Sequence, residues 1–143
     1  MQRQSRQGYI RKIDFVFYNE REIRRGVMEI REDPAPSQKT SVKVLAFSDP
    51  TSMSAIRNAT PIEKIVFGDH VLENPEKWLN VIDRTYNWAD ELTKSIARRR
   101  YGKEDYRKIC SELSIAQTTF YEKLKKFQLY AVMQAIALRL ITI

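Results

Sequence analysis

Apolar side chains recur at helical spacing in the first part of the chain. Between residues 7 and 32, apolar positions follow the 4-3-7-4-3 spacing of a heptad stripe, with Glu20 as its one polar member. These positions are Tyr9, Ile13, Val16, Ile23, Val27 and Ile30. Pro34 and Pro36 end the pattern, because proline cannot continue a helix. The spacing predicts one long amphipathic helix over 7–32, whose apolar face needs a partner.

Three dipeptides in the middle of the chain predict helix starts. Each puts a side-chain acceptor directly before a proline, which suits the N-cap and the first helical position. They are Asp49-Pro50, Thr60-Pro61 and Asn74-Pro75. Residues 60–63 also read as a capping box. The predicted helices are 50–59, 61–73 and 75–100.

The segment before these helices and the longest of them carry further expectations. Residues 33–48 are predicted to be a loop; a short strand would need a mate that the sequence does not show. Its candidate strand residues are Val42, Val44 and Phe47. The helix over 75–100 has an apolar face with Thr85 as a gap, and Gly102 marks its end. That face holds Trp78, Ile82, Ala89, Leu92 and Ile96, and Trp88 is also expected to lie in the core.

A helix-turn-helix is predicted over residues 104–128. Helices over 104–113 and 117–141 are separated by three residues, and a helix-turn-helix needs a tight turn and a small side chain where the backbones approach. The small residue is Cys110, since a free cysteine packs as a small hydrophobe; we favour this packing role over a reactive thiol. The apolar residues expected to lock the pair are Ile109, Leu113, Ile115, Phe120 and Leu124.

Charge is concentrated in the same part of the chain. The formal net charge is +7, and residues 94–126 hold 10 Lys and Arg against 4 Asp and Glu, a local charge of +6. A local positive field attracts a polyanion, whereas evenly spread charge mainly serves solubility. The alternative is an ordinary helix pair inside a bundle, with a basic face exposed to solvent.

The second helix of the predicted motif would present polar side chains to DNA, because the first turn of a recognition helix enters the major groove. Gln can pair with adenine, Thr and Tyr can contact thymine methyl groups or phosphate, and Lys can reach guanine or phosphate. The predicted base-reading residues are Gln117, Thr118, Tyr121, Glu122 and Lys125. The predicted phosphate contacts are Arg98, Arg99, Arg100, Lys103, Arg107, Lys108, Lys123 and Lys126.

No catalytic, cofactor-binding or metal-binding site is expected. His70 and Cys110 are each the only residue of their type, so they cannot supply a tetrahedral zinc site. His70 is predicted to be a surface or capping residue near the end of a helix. The N-terminus leads into no apolar run, which argues against a signal peptide. The stretch 129–143 is shorter than the ~20 residues that span a bilayer. A soluble cytoplasmic protein without a membrane partner is therefore expected.

The last helix is apolar nearly all round and needs cover. Its apolar residues are Leu129, Val132, Met133, Ala135, Ile136, Leu138, Leu140, Ile141 and Ile143. Either the N-terminal helix covers it within one chain, or two chains form a homodimer. We favour the dimer, because two-fold symmetric regulators read paired half-sites on DNA.

Residues 111–126, preceded by Arg99-Arg100-Tyr101, resemble the C-terminal end of RinA/ArpU-type phage transcriptional regulators. The DNA-binding part of that family is similar to region 4 of sigma factors. Residues 48–51, with Ala55 and Ile56 beyond them, also resemble an upstream stretch of such proteins. The resemblance implies a regulator of phage late genes, such as those for DNA packaging and assembly.

The match departs from the family pattern at two positions of the turn. Ala116 stands where the family has Ser or Thr as the cap of the recognition helix, so that cap moves to Ser114 or is lost. Ser114 replaces the common turn glycine, which is tolerable only where the local φ is not strongly positive.

Together these features predict an all-α fold, a helical bundle with a long N-terminal helix and a C-terminal helix-turn-helix. Residues 1–48 would form an arm, a candidate for oligomerisation, and 49–143 the DNA-binding domain. The predicted function is sequence-specific binding of double-stranded DNA in transcription regulation, without enzymatic activity. One alternative is a small-terminase-like packaging protein, although there the DNA-binding part usually precedes the oligomerisation part. The other is an adaptor that uses the same fold on RNA polymerase.

Overall fold

The computed structural model describes residues 6–32 and 60–142, which form six helices and one two-stranded hairpin. The helices are α1 (Arg6–Tyr18), α2 (Glu20–Glu32), α3 (Pro75–Trp88), α4 (Glu91–Tyr101), α5 (Tyr106–Leu113) and α6 (Gln117–Ala137), and the strands are β1 (Lys64–Phe67) and β2 (His70–Glu73). This content confirms a mostly helical fold. The predicted loop over 33–48, the helix over 50–59 and the domain boundary after residue 48 lie outside the described ranges. Among the helices described, none is long and apolar enough to cross a membrane.

The N-terminal segment forms two helices, so the prediction of one long helix over 7–32 is wrong. α1 ends at Tyr18 and α2 begins at Glu20. Between them, the side-chain amide of Asn19 donates to the carbonyl oxygen of Phe15 at 2.7 Å. Asn side chains that bond nearby carbonyls compete with the regular helical pattern. The apolar spacing is present on both sides of this break, so the sequence pattern does not predict the break.

A β-hairpin occupies the place of the helix predicted over 61–73. β1 pairs with β2 in antiparallel register, with Ile65 opposite Leu72, and both of these side chains are buried. Gly68 has a φ of 56° and forms the two-residue turn with Asp69. Glycine at the first position of such a turn, between β-branched and other apolar residues, is a strong hairpin signal that outweighs the capping box. His70 therefore lies on a strand rather than near a helix end.

The described residues fall into two compact units, one of residues 6–20 and 77–142 and the other of residues 21–32 and 60–76. In the second unit the hairpin packs on α2. A Cβ atom at Gly26 would lie 3.3 Å from Cδ1 of Ile65, so the absence of a side chain there allows a close approach. At the end of α2, Arg31 donates to Glu76 at 2.5 Å, and Glu76 also accepts from the backbone of Ile62 at 3.2 Å.

Two helices replace the single helix predicted over 75–100. α3 begins at Pro75 as predicted, but the chain leaves the helix after Trp88 and re-enters it at Glu91. A carboxylate oxygen of Asp90 accepts from the backbone N–H of Thr93 at 2.7 Å, and this hydrogen bond lowers the pKa of Asp90. Asp90 is thus the N-cap of α4. The apolar periodicity continues across this residue, so it does not reveal the helix start.

Two side chains of the predicted helix over 75–100 behave differently from expectation. Thr85 is fully buried rather than a gap, and its hydroxyl is satisfied there by donating to the carbonyl oxygen of Val81 at 2.6 Å. Trp88 is 48% exposed and does not belong to the core. Its ring instead stacks on that of Tyr130, with 4.2 Å between the ring centroids.

Four aromatic rings form the centre of the first unit. The ring centroid of Phe127 in α6 lies 5.3 Å from that of Phe17 in α1, 5.0 Å from that of Tyr86 in α3 and 6.2 Å from that of Tyr101 in α4. Aromatic pairs at these separations add to the free energy gained by burial alone. Because α1 and α4 both pack on α6, cover for the apolar helix comes from within the chain. The homodimer stays a prediction, and it no longer follows from a lack of cover.

A hydrogen-bonded cluster fixes α1 against the same helices. One carboxylate oxygen of Asp14 accepts from the hydroxyl of Tyr101 at 2.7 Å and from the side-chain amide of Gln128 at 2.9 Å. Burial, together with the negative charge of Asp14, raises the pKa of the Tyr101 phenol well above its usual range. The cluster therefore joins α1, α4 and α6 through a polar group at the edge of the aromatic core.

We expect Asp14→Ala to lower the free energy of unfolding by about 1–3 kcal/mol, because it leaves two donors of the cluster without their acceptor. Asp14→Asn keeps one acceptor oxygen and should cost less. Denaturant unfolding followed by circular dichroism measures both. Glu29→Ala, which removes the same charge from an exposed position of α2, is the control. Equal losses for Asp14→Ala and Glu29→Ala would contradict the assignment.

Candidate nucleic-acid interface

The turn between α5 and α6 comprises Ser114, Ile115 and Ala116, as the sequence predicts. Ser114 is left-handed, with φ 54° and ψ 46°. Its N–H donates to the carbonyl oxygen of Ser111 at 3.3 Å, and that of Ile115 donates to Cys110 at 3.0 Å. This pair of bonds satisfies the last carbonyls of α5, as in the glycine-ended Schellman motif. The condition under which serine suits this position, a φ that is not strongly positive, is therefore not met, and a non-glycine residue occupies a strained position.

The beginning of α6 lacks a side-chain cap. Ala116 is the N-cap residue and makes no capping hydrogen bond through its side chain, while its carbonyl accepts the first helical bond from Phe120 at 3.0 Å. The sequence left two alternatives, a cap that moves to Ser114 or a cap that is lost. No side chain caps α6 at its N-cap residue, so the second alternative is the observed one. The backbone N–H groups of the first turn and the positive end of the helix dipole suit an anionic oxygen at this point.

The inner face of the helix pair agrees with the sequence prediction. Ile109, Phe120 and Leu124 are buried, and Leu113 and Ile115 are half-buried. α4 packs against both α5 and α6, so the helix pair is supported by a third helix. Cys110 is a half-buried free cysteine, and the packing role predicted for it stays a prediction.

All five predicted base-reading residues are exposed to solvent. They are Gln117, Thr118, Tyr121, Glu122 and Lys125. They share the outer face of the first turns of α6, because Phe120 and Leu124 between them point into the core. The structure thus places the five together on one accessible surface, and their contact with bases stays a prediction.

An aromatic cluster that the sequence pattern does not predict lies at this surface. The ring of Tyr121 lies 6.0 Å from that of Tyr106, centroid to centroid, across the turn. The guanidinium of Arg107 lies 5.6 Å from the centroid of the Tyr106 ring and donates from Nε to the Tyr106 hydroxyl at 3.2 Å. This hydrogen bond raises the pKa of Arg107. Tyr106 and Tyr121 meet only through the folded turn, so no local pattern could have paired them.

One of the predicted phosphate contacts has a structural role. Arg99 donates to Glu104 through two nitrogens, the Nη2 contact being 2.8 Å, and it also donates to Glu112. These bonds raise the pKa of Arg99, and the bond from Arg99 lowers the pKa of Glu104. Nζ of Lys108 lies 3.8 Å from the same carboxylate of Glu104. Arg99 therefore joins the end of α4 to α5, and its guanidinium is already occupied.

The other predicted phosphate contacts differ in their engagement. Nζ of Lys123 lies 3.7 Å from a carboxylate oxygen of Asp90, and the guanidinium of Arg98 lies 4.5 Å from the centroid of the Tyr86 ring. Within residues 6–32 and 60–142, the remaining predicted basic contacts form no ion pair with a carboxylate. These are Arg100, Lys103, Arg107 and Lys126, and Lys125 of the base-reading set shares this property.

No three His, Cys, Asp or Glu side chains in the described part of the chain form a group that could hold a metal ion. Comparisons with protein-family models, curated proteins and solved structures give no match. The resemblance to RinA/ArpU-type regulators therefore stays a prediction from the sequence.

The left-handed serine of the turn gives a stability test. We expect Ser114→Gly to raise the free energy of unfolding by about 0.5–1 kcal/mol, because glycine relieves the steric cost of positive φ but loses more chain entropy on folding. Thermal unfolding measures the change. Ser111→Gly is the matched control inside α5 and should lower stability instead, since glycine weakens a helix interior. A loss of stability for Ser114→Gly would contradict the expectation.

Proposed function

We propose that this chain binds double-stranded DNA sequence-specifically and regulates transcription, through a helix-turn-helix formed by α5, the turn 114–116 and α6. The observation that carries the proposal is the exposed outer face of the first turns of α6. It begins directly after a three-residue turn, and it lies within the segment of local charge +6, residues 94–126.

The charges around α6 support a polyanionic partner. Lys103, Arg107, Lys125 and Lys126 are exposed, and among the described residues none forms an ion pair with a carboxylate. Cations that already hold a carboxylate contribute little to binding a new anion, whereas these four can exchange small counterions for phosphates. The uncapped beginning of α6 adds backbone donors near them.

The two sets of residues divide the work in the proposed complex. Contacts to phosphate fix the position and register of a protein on the duplex, and contacts to base edges supply sequence specificity. Lys103 lies just before α5 and Arg107 lies in its first turn, and both suit contacts to the phosphate backbone of DNA. The outer face of α6 suits the major groove. Arg99 acts inside the protein, by holding α4 and α5 in place.

The sequence resemblance supports a role in the control of phage late genes. On this proposal the protein acts in the cytoplasm of a bacterial host, as a homodimer on paired half-sites, and carries out no enzymatic step. A direct contact with RNA polymerase fits the similarity of the family to sigma-factor region 4. The sign of regulation follows from where the operator lies relative to the promoter.

The proposal predicts salt-dependent binding of duplex DNA that depends on α6. Fluorescence anisotropy with a labelled duplex measures Kd at several salt concentrations. We expect Lys125→Ala/Lys126→Ala to raise Kd about tenfold and to reduce the salt slope by about 2, because two positive charges beside the duplex are lost. The control Lys64→Ala/Lys77→Ala removes the same charge from two exposed lysines outside residues 94–126 and should change Kd less than about twofold.

Equal effects of the two double variants would mean that binding reflects net charge alone and would contradict a specific surface. Absence of binding at low salt would reject DNA binding by the isolated chain. It would favour the adaptor alternative, which a pull-down with purified RNA polymerase would then examine.

A further inference from the structure

The outer face of α6 combines polar side chains with one large exposed ring. Tyr121 is 48% exposed, although it lies beside the fully buried Phe120. On a helix, residues three and four positions apart are neighbours, so Thr118 and Gln117 lie next to Tyr121. A carboxamide, a methyl-bearing side chain and an aromatic ring therefore share one patch in the first two turns, which we call the Gln117–Tyr121 patch.

The ring of Tyr121 is held in place by other rings. Its centroid lies 5.1 Å from that of Phe120, at an interplanar angle of 81°, and 6.0 Å from that of Tyr106. A ring packed in this way loses little further conformational entropy on binding, so its exposed part is a preorganised apolar surface.

The charges nearby disfavour phosphate as the target of this patch. Glu122 is exposed, directly follows Tyr121 and lies one helical turn after Thr118. A phosphate held by both hydroxyls would lie close to this carboxylate and be repelled by it. Arg107, whose guanidinium is placed over the Tyr106 ring, is the better phosphate contact of the cluster. The apolar surface of Thr118 and Tyr121 is thus left for an uncharged group.

We infer that the Gln117–Tyr121 patch recognises the C5-methyl group of thymine beside an adenine, and hence A·T-containing steps in the major groove. In that groove thymine alone presents a methyl group, and adenine presents the N6 donor and N7 acceptor that a glutamine amide matches. Thr118 and Tyr121 supply the apolar contact, and Gln117 the paired hydrogen bonds. This inference rests on the proposed function, because it needs α6 to lie in the major groove.

The test compares thymine with uracil, which pairs identically but lacks the methyl group. Duplexes bound by the full chain are first enriched from a random-sequence library. The enriched sequence is then synthesised with either dT or dU at each of its thymine positions, one position at a time. We expect dU to raise Kd about fourfold at each contacted thymine, the loss that corresponds to one methyl group buried.

Two variants of Tyr121 separate the ring from its hydroxyl. Tyr121→Phe should keep the preference for dT over dU, because the ring remains, whereas Tyr121→Ala should abolish it. Thr118→Ser removes only a methyl group and should reduce the preference, which keeps the inference testable if Tyr121→Ala fails to fold.

Each outcome separates this inference from the proposed function. Absence of any DNA binding at low salt overturns the proposed function itself. Binding without an enriched sequence, or equal affinity for dT and dU duplexes, overturns only the inference that the patch recognises the thymine methyl group. A Tyr121→Phe variant that binds as weakly as Tyr121→Ala also overturns it, because the hydroxyl would then be the group in use.

Discussion

The packing of aromatic rings around Phe127 is the interaction on which the first unit depends. Phe17, Tyr86 and Tyr101 reach this ring from three separate helices, so one side chain of α6 connects α1, α3 and α4. The N-terminal helix belongs to this unit for that reason, although more than 70 residues of sequence separate it from α4. Burial of four rings together supplies more free energy than any single pair in the unit.

This core divides α6 into two halves that differ in burial. Phe127, Ala131 and Ala135 are buried in the C-terminal half, whereas the N-terminal half buries only the inner face that carries Phe120 and Leu124. A recognition helix needs such an arrangement, since its first turns must be accessible and its position must still be rigid. The left-handed turn at Ser114 and the carboxylates around Arg99 fix α5 relative to α6 and α4.

Sequence periodicity predicted the elements whose signals are local. The turn at 114–116, the inward-facing residues of α5 and α6, and the start of α3 at Pro75 follow from apolar spacing and capping chemistry. The same spacing continued across Asn19 and Asp90, because apolar positions on two successive helices can stay in phase across a break. Asn19 follows the end of one helix and Asp90 begins another, each through a hydrogen bond to nearby backbone, and a pattern of apolar residues does not contain that information.

The sequence predicts which residues of the candidate site share an exposed face, but it does not predict which side chains contact one another. Which residues of α6 point outward follows from the helical period alone. The ion pair of Arg99 with Glu112, the contact of Lys123 with Asp90 and the contact of Tyr106 with Tyr121 all arise between different elements of the fold. Basic residues therefore look equivalent in sequence, whereas the fold uses some to hold helices together and leaves others accessible.

The binding surface that we propose for duplex DNA comprises the turn 114–116 and the first turns of α6. Backbone amide chemical shifts of the ¹⁵N-labelled chain, recorded during titration with duplex DNA, test it most directly. We expect the largest changes over residues 103–108 and 114–126, with little change in β1 and β2. Changes centred on the hairpin, or of equal size throughout the chain, would contradict it.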